Sequence, residues 1–172
     1  LNRYILNIKM ITYIYMVLCL VFDIDDTIYV HTSNEMNYNN IRPDYQLKNQ
    51  LQRIPYQKYV LTNATFGHAN LIINKLGIDD EFEKIYSRDN IPEMKPSPHC
   101  YRSVSIDIHK TMLSEHTNEY IFFDDLLTNL EGAKKQKWRT VWISPEYVDS
   151  KNYTFVDKAF PTLKDALDKL NF

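Results

Sequence analysis

The chain has 172 residues, the length of one domain with a substantial buried core. Lys and Arg total 20 and Asp and Glu total 22, so a formal net charge of -2 provides no basic excess for binding nucleic acid or an anionic membrane. A hydrophobic fraction of 44% argues against a disordered chain, and 3 glycines are too few for a Gly-rich phosphate-binding loop. An anion site must therefore be built from helix N-termini and side chains.

The N-terminal segment is compatible with a targeting sequence or with a strand. Arg3 and Lys9 precede the apolar run ITYIYMVLCLVF, which imitates a signal peptide, but the run lacks a small-residue cleavage site and is too short to span a bilayer. We interpret residues 1–15 as an extension or the start of the first strand, and residues 16–172 as a single domain. The 2 cysteines lack metal-ligand spacing and favour a reducing compartment, so a cytoplasmic location is expected.

The predicted elements alternate between strands and helices. MVLCLVF (16–22) is a continuous apolar run, typical of a parallel strand buried on both faces. Pro43 is expected to open the first helix and Gly77 to end the second in a left-handed conformation. Further strands are predicted at KYVLT (58–62), FEKIYS (82–87), EYIFF (119–123) and TVWIS (140–144). Helices are predicted at RPDYQLKNQLQRI (42–54), FGHANLIINKLGI (66–78), PSPHCYRSVSIDIHK (96–110), LLTNLEGAKKQKW (126–138) and FPTLKDALDKL (160–170).

Strands that alternate with helices form parallel sheets with right-handed crossovers and helices on both faces. We therefore predict an α/β fold, a Rossmann-like three-layer sandwich around a central parallel sheet of about five strands. Ligands of such sheets gather outside the carboxyl ends of the strands. The chemically distinctive residues follow these ends: Asp23 and Asp25 after the first strand, Thr62 and Asn63 after the second, and Asp124 and Asp125 after the fourth.

Three carboxylates, Asp23, Asp25 and Asp26, crowd the end of the first strand. Unpaired they repel one another, so either they form an acidic turn in open water or a divalent cation neutralises them. Carboxylates are hard oxygen ligands suited to Mg²⁺, which also binds substrate phosphate. A carboxylate nucleophile can form an aspartyl-phosphate while a second carboxylate acts as acid and then base. Lys95 would hold the nucleophile and phosphate together, and Thr62 would donate to a phosphoryl oxygen.

Four short motifs occur in order along the chain: DIDDT (23–27), LTN (61–63), KPSP (95–98) and FFDD (122–125). Each lies at the end or flank of a predicted element, and together they resemble the motifs of the haloacid dehalogenase-like (HAD) phosphohydrolases over nearly the whole chain. The connecting segments are similar to those of pyrimidine 5'-nucleotidase-like members. The resemblance implies a Mg²⁺-dependent phosphatase that hydrolyses a phosphate monoester through an aspartyl-phosphate, with a nucleoside 5'-monophosphate or a similar small phosphate as substrate.

The resemblance also implies which carboxylates act. Asp23 would be the nucleophile and a metal ligand. Asp25 would be the general acid and base, and would bind the metal through its backbone carbonyl. Asp124 would bind Mg²⁺ directly, and Asp125 would do so directly or through a water molecule. Taken alone, Asp124 and Asp125 could instead cap the helix that follows them.

The remaining motif residues would bind phosphate or support the nucleophile. Thr62 and Lys95 would bind the phosphoryl group, with assistance from Asn63. Asp26 and Thr27 would shape the turn and support the nucleophile. These roles are what the family resemblance implies.

Members of this subgroup usually carry a helical cap between the first two motifs. Here Thr27 and Thr62 are only 35 positions apart, so residues 28–57 have room for a flap and one helix in place of a cap. We therefore expect an open site with minimal or no cap. The polar flap from His31 to Asn40 is expected to be mobile and specificity to be broad, unless a neighbouring subunit of a homo-oligomer covers the site.

Two further residues carry expectations. Lys137 stands where the family's helix usually ends in Gly, and a left-handed conformation there would cost about 1 kcal/mol. His68 is expected to be a polar residue on a helix face or near the site rather than a metal ligand. The other histidines lack pairing at ligand spacing and receive no role: His31, His99, His109 and His116.

Other protein classes fit the motifs less well. DIDDTIY does not match a calcium-binding loop, because Ile28 occupies the sixth position, where a sharp turn requires Gly. A phosphorelay receiver would place its Lys after the last strand, whereas here the order is Asp23, Thr62, Lys95, Asp124. Three hypotheses remain: a small-molecule phosphatase, a capless phosphatase for a phosphoprotein or a nucleic-acid end, and a non-catalytic binding module, which the intact motif residues disfavour. Stable binding to nucleic acid or membrane is not expected.

Overall fold

The computed structural model describes residues 16–31, 38–111 and 117–170. The strands of these residues are β1 (Met16–Phe22), β2 (Gln57–Leu61), β3 (Lys84–Tyr86), β4 (Thr117–Asp124), β5 (Arg139–Ile143) and β6 (Lys158–Phe160). The α-helices are α1 (Tyr45–Gln52), α2 (Phe66–Leu76), α3 (Pro98–Thr111), α4 (Leu127–Lys135) and α5 (Leu163–Lys169). The strands form one parallel sheet in the order β3-β2-β1-β4-β5-β6.

This architecture confirms the predicted α/β fold with a central parallel sheet between two helical layers. In the described residues the sheet has six strands rather than about five. The strand missing from the prediction is β6, whose last residue, Phe160, is assigned by the sequence pattern to the final helix; that assignment is wrong, because the helix begins at Leu163. β6 pairs with β5 in a register that places Phe160 beside Ile143.

Alternate side chains of β1 enter two separate cores. Leu20 and Phe22 face the layer of α1, α2 and α5, whereas Cys19 and Val21 face the layer of α3 and α4. All four side chains are fully buried. Coverage on both faces is what the uninterrupted apolar run of this strand predicts.

The first helix begins at Tyr45, two residues later than Pro43 would suggest. Asp44 is the N-cap of α1, and its side chain accepts a hydrogen bond from the Leu47 N–H at 3.0 Å. The prediction that Pro43 opens the helix is therefore wrong, because that residue precedes the cap. Ile54 also lies beyond the end of α1, yet it is buried against the same core.

Two helices end in left-handed backbone. Gly77 ends α2 with φ 71°, as predicted, and its N–H bonds back to the carbonyls of Ile73 and Asn74. Lys137, just after α4, has φ 65°. The departure from Gly at that position therefore carries the expected cost of about 1 kcal/mol.

The strand order reverses between β1 and β4. β2 and β3 extend the sheet on one side of β1, whereas β4 pairs with β1 on the other side. Such a reversal is where open α/β sheets bind ligands. The register pairs Phe22 with Phe123, so the residues that follow, Asp23 and Asp124, are neighbours.

The segment between β1 and β2 is described in part. It contains a 3-10 turn at Tyr38–Asn40 and the helix α1. Residues 32–37 lie outside the described part, so the absence of a cap and the mobility of the flap stay predictions. The predicted extension, residues 1–15, lies outside it as well. Within the described ranges, no helix has both the length and the apolar character needed to cross a membrane.

Candidate active site

Asp23 directly follows β1 and continues its pairing with β4. Its N–H donates to the carbonyl of Phe123 at 2.9 Å, and the residue is only 7% exposed. Burial raises the pKa of the Asp23 carboxyl; Lys95 opposes this shift and Asp124 adds to it. A carboxylate in this position needs a cationic partner to remain charged.

Lys95 supplies that partner. Its Nζ donates to Asp23 Oδ1 at 2.6 Å and to Asp124 Oδ2 at 2.7 Å. The ammonium group also lies 5.1 Å from the ring centroid of Phe122. Burial by itself lowers the pKa of Lys95, but the two carboxylates outweigh burial and hold the pKa above its ordinary value. The charged lysine therefore links the ends of β1 and β4.

The side chain of Asn63 fixes the main chain of Lys95. Asn63 Nδ2 donates to the Lys95 carbonyl at 2.9 Å, and the Lys95 N–H donates to Asn63 Oδ1 at 2.9 Å. The sequence predicts that Asn63 assists phosphate binding. The contact observed here instead holds the loop that carries the lysine, and direct contact with phosphate stays a prediction.

Thr62 lies at the end of β2 with its hydroxyl beside the next turn. The residue is 1% exposed, and its Oγ1 accepts a hydrogen bond from the Ala64 N–H at 3.0 Å. This bond uses a lone pair and leaves the hydroxyl hydrogen to be donated. The group is thus able to donate to a phosphoryl oxygen, which stays its predicted role.

Asp124 is completely buried and is oriented by groups from α4. Its Oδ1 accepts from the Leu126 N–H at 2.8 Å, and Asn129 Nδ2 lies 3.1 Å from each carboxylate oxygen. Asn129, which received no role from the sequence, is itself buried. These contacts stabilise a buried carboxylate that the helix N-terminus also favours.

Three of the four predicted metal ligands bring their carboxylates together. One oxygen each from Asp23, Asp124 and Asp125 lies within 4.8 Å of the others. Burial and the charge of Asp124 raise the pKa of Asp125 to about 7. A divalent cation would relieve this repulsion, and the oxygen donors suit Mg²⁺. The Asp25 carboxylate is not in this group, and the ligand predicted for that residue is its backbone carbonyl.

Asp25 lies in the turn after β1, with its side chain between two histidines. His68 Nε2 is 2.7 Å from Asp25 Oδ1, and His31 Nε2 is 3.5 Å from the same oxygen. The His31 N–H donates to Asp26 Oδ1 at 3.0 Å, and His31 Nδ1 is 3.3 Å from that oxygen. The first turn of α2 therefore reaches the turn that follows β1.

Asp26 and Thr27 form that turn. Asp26 has a left-handed φ of 58°, which Asp tolerates better than most residues, and its N–H donates to the Tyr29 carbonyl at 2.7 Å. Thr27 is 2% exposed, and its hydroxyl has no hydrogen-bond partner among the described residues. Both residues lie in the turn, and support of the nucleophile by Asp26 and Thr27 stays a prediction.

The structure thus gathers every predicted site residue at one edge of the sheet, and adds contacts that the sequence did not suggest. His68 lies near the site, as expected. His31 and Asn129 were not assigned. The available signals were weak: His31 follows Asp26 by five positions in one loop, and Asn129 follows Asp124 by five positions in the next helix.

The fold is a Rossmann-like parallel α/β sandwich, and its carboxylate–lysine site lies at the ends of the first and fourth strands. The chain belongs to the haloacid dehalogenase-like hydrolases, whose family model matches residues 29–143. The first acidic motif precedes the matched residues, and the other three motifs lie within them.

Solved structures with the same fold include enzymes of different activities. YfnB from Bacillus subtilis, a HAD hydrolase bound to magnesium, has a TM-score of 0.64 at 13% identity, covering 92% of this chain and 100% of that one. A predicted phosphoglycolate phosphatase from Haemophilus somnus has a TM-score of 0.59 at 21% identity, covering 77% of this chain and 59% of that one.

L-2-haloacid dehalogenase from Xanthobacter autotrophicus, with chloropropionic acid covalently bound, has a TM-score of 0.56 at 18% identity. The alignment covers 76% of this chain but only 62% of the dehalogenase. At these identities the likeness shows a shared fold. Both phosphatase and dehalogenase chemistry occur on that fold, so the activity has to be argued from the site.

Proposed function

We propose that the protein is a Mg²⁺-dependent phosphatase that hydrolyses phosphate monoesters through an aspartyl-phosphate. The observation that carries this proposal is the position of Lys95. Its ammonium group lies between the Asp23 and Asp124 carboxylates. A further carboxylate, Asp25, is two residues along the chain from Asp23. Nucleophile, cationic phosphate ligand and candidate acid therefore meet at the strand ends.

In the first half of the reaction, an Asp23 oxygen attacks phosphorus and the bond from phosphorus to the leaving oxygen breaks. Asp25 transfers its proton to that oxygen, which departs as an alcohol. In the second half, the Asp25 carboxylate takes a proton from water as that water attacks phosphorus, which releases inorganic phosphate and restores Asp23. Lys95 and Thr62 hold the phosphoryl oxygens throughout.

Asp23, Asp124 and Asp125 would hold the metal ion, together with the backbone carbonyl of Asp25. When bound, Mg²⁺ would neutralise the charge of the phosphoryl group as it approaches the carboxylates. Support for the ion comes from the mutual approach of three carboxylates and from the raised pKa of Asp125, about 7.

Dehalogenation is the competing chemistry on this fold. A halide leaves carbon as a stable anion, so it needs neither an acid to protonate it nor a cation to neutralise a phosphoryl group. The oriented Asp25 and the carboxylate group around Asp124 therefore favour phosphate ester hydrolysis over halide displacement.

We further propose a small phosphate as substrate, with nucleoside 5'-monophosphates as first candidates, because the connecting segments resemble that subgroup. A phosphoprotein or a nucleic-acid phosphate end is the alternative that an open site would favour. Selectivity among nucleotides below about 10³-fold, equivalent to about 4 kcal/mol, is expected of a monomer without a cap. We also propose that a neighbouring subunit of a homo-oligomer covers the site. A cytoplasmic location is proposed as well, supported by the two buried free thiols of Cys19 and Cys100.

The test is a substrate panel with the purified protein. It includes p-nitrophenyl phosphate, several nucleoside monophosphates, a sugar phosphate, a phosphopeptide, a 5'-phosphorylated oligonucleotide and 2-chloropropionate, each with Mg²⁺ and with excess EDTA. We expect phosphate release that requires Mg²⁺. Halide release without phosphate release, or full phosphatase activity in EDTA, would overturn the proposal.

A further inference from the structure

We propose that His68 is a positioning residue for the reaction. Its Nε2–H donates to Asp25 Oδ1 and thereby directs Oδ2 of that carboxyl group toward the leaving oxygen. The inference rests on the proposed function, since it assigns His68 to the acid and base of that reaction. The observation behind it is a contact of 2.7 Å between side chains 43 positions apart.

Asp25 needs such a partner because it lies in a turn with its side chain partly exposed, at 34%. A side chain in that setting samples several rotamers, whereas an acid must lie within hydrogen-bond reach of the atom it protonates. Misplacement of a reacting group by about 1 Å can cost about 10²-fold in rate. A donor that holds one carboxyl oxygen restricts the other to a small region.

His68 is itself held in place by regular structure. It lies in the first turn of α2, where its N–H donates to the N-cap Thr65 Oγ1 at 3.2 Å. The imidazole packs edge to face against the Tyr38 ring, with centroids 5.2 Å apart at 80°. A group on a helix positions its partner better than one on a loop, and here the helix carries the histidine and the turn carries the acid.

A second imidazole lies near the same oxygen of Asp25, although its Nε2 forms no hydrogen bond with any described residue. His31 Nε2 lies 3.5 Å from Asp25 Oδ1, the oxygen that His68 contacts, and the opposite nitrogen of its ring faces Asp26. Both histidines therefore approach one oxygen of Asp25. Neither contact uses Oδ2, so that oxygen is the one assigned to proton transfer.

The experiment compares leaving groups. Protonation by Asp25 matters little when the leaving group departs readily as an anion, as from p-nitrophenyl phosphate, and matters greatly for an alkyl phosphate. We expect His68→Leu to lower kcat/KM by up to about 10-fold on p-nitrophenyl phosphate and by about 10²-fold or more on an alkyl phosphate. His68→Gln, whose amide can donate to the same oxygen, is expected to recover most of the loss.

Two controls separate positioning from a general structural effect. His109→Gln, in the last turn of α3 and exposed, is expected to match the wild type on every ester. In an Asp25→Asn background, His68→Leu is expected to add no further loss, because a residue that acts through Asp25 has nothing left to position. Circular dichroism confirms folding of each variant, and His68→Ala, which also lacks a donor, carries the test if His68→Leu does not fold.

Each outcome decides the inference. A larger loss on alkyl than on aryl esters, recovered by Gln and absent in the Asp25→Asn background, supports it. Equal losses on all esters, wild-type activity of His68→Leu, or additive losses with Asp25→Asn overturn it while the proposed function stands. A wild type that hydrolyses no phosphate ester overturns the proposed function and this inference with it.

Discussion

Asn63 and Lys95 are joined by a reciprocal pair of hydrogen bonds, each 2.9 Å long, between the asparagine side chain and the lysine main chain. The pair connects the end of β2 to the loop before α3. Because the Lys95 ammonium group then reaches Asp23 and Asp124, the position of the charge at the site depends on an amide that lies outside the reacting groups.

Replacing Asn63 by Ala is expected to leave the Lys95 N–H and carbonyl without these partners. The free energy of unfolding should fall by about 1–3 kcal/mol, the usual cost of unsatisfied polar groups. Because Lys95 is then misplaced, kcat should fall more than KM rises. Urea unfolding and steady-state kinetics on p-nitrophenyl phosphate measure the two effects.

The matched control is Asn74→Ala in α2, whose amide bonds to Asn70 on an exposed helix face. We expect its free energy of unfolding to change by no more than about 0.5 kcal/mol and its kinetics not at all. If Asn63→Ala instead raised KM with kcat unchanged, Asn63 would be a direct phosphate ligand, as the sequence first suggests.

The sequence was sufficient to predict the edge of the sheet that carries the site. Asp23, Thr62 and Asp124 each lie at the end of an apolar strand, and the parallel topology brings strand ends together. The order of the motifs along the chain and the apolar pattern of the strands are therefore enough to predict where the site lies. The same reasoning missed β6, because this short strand ends at Phe160, just before a helix whose apolar pattern includes that residue.

Contacts between side chains of distant segments could not be predicted from the sequence pattern. Nothing in the pattern of α2 indicates that His68 reaches Asp25, because that contact depends on how the helix packs against the turn after β1. Asn129 is similar: a polar residue in a helix usually faces solvent, and only the approach of α4 to β4 buries it against Asp124.

The assignment of nucleophile and acid predicts different losses for two isosteric changes. Asp23→Asn should abolish turnover, because the amide cannot form the phosphoenzyme. Asp25→Asn should slow turnover by about 10²–10⁴-fold, the usual contribution of general acid–base catalysis. Asp168→Asn, on the exposed face of α5, is the control and should be active. Near-normal turnover of Asp23→Asn would show that another group attacks phosphorus.

The raised pKa of Asp125 leads us to expect that the stability of the metal-free protein depends on pH. Burial and Asp124 raise the pKa of the Asp125 carboxyl to about 7, above the value of about 4 expected in the unfolded chain. The native state then holds a proton that the unfolded state has lost, so this residue makes stability fall as pH rises from about 4 to about 7. Asp125→Asn should remove that part of the decline.

The measurement is the melting temperature in EDTA between pH 4 and 8, for the wild type and for Asp125→Asn. Mg²⁺ should raise the melting temperature of the wild type most at the upper end of this range, where the carboxylate is ionised, and should affect the variant less. Parallel pH profiles for the two proteins in EDTA would contradict the role given to Asp125.

Two glycines in helices form a matched pair for the packing beside Lys95. A Cβ on Gly132 in α4 would lie 2.7 Å from the Pro96 carbonyl oxygen and 3.0 Å from the Tyr101 ring, whereas a Cβ on Gly67 in α2 meets no atom within 4 Å. Gly132→Ala must therefore displace the main chain next to Lys95. We expect the free energy of unfolding of this variant to fall by about 1–3 kcal/mol and its kcat to fall below the wild-type value.

Gly67→Ala should instead gain up to about 1 kcal/mol, because Ala loses less backbone entropy in a helix. Urea unfolding of both variants gives the two changes in free energy, and their opposite signs are the prediction. Equal stability of Gly132→Ala and the wild type would mean that the loop after Lys95 yields without cost. Its kcat would then be expected to stay at the wild-type value, and a fall in kcat without a fall in stability would contradict the link drawn between this packing and the position of Lys95.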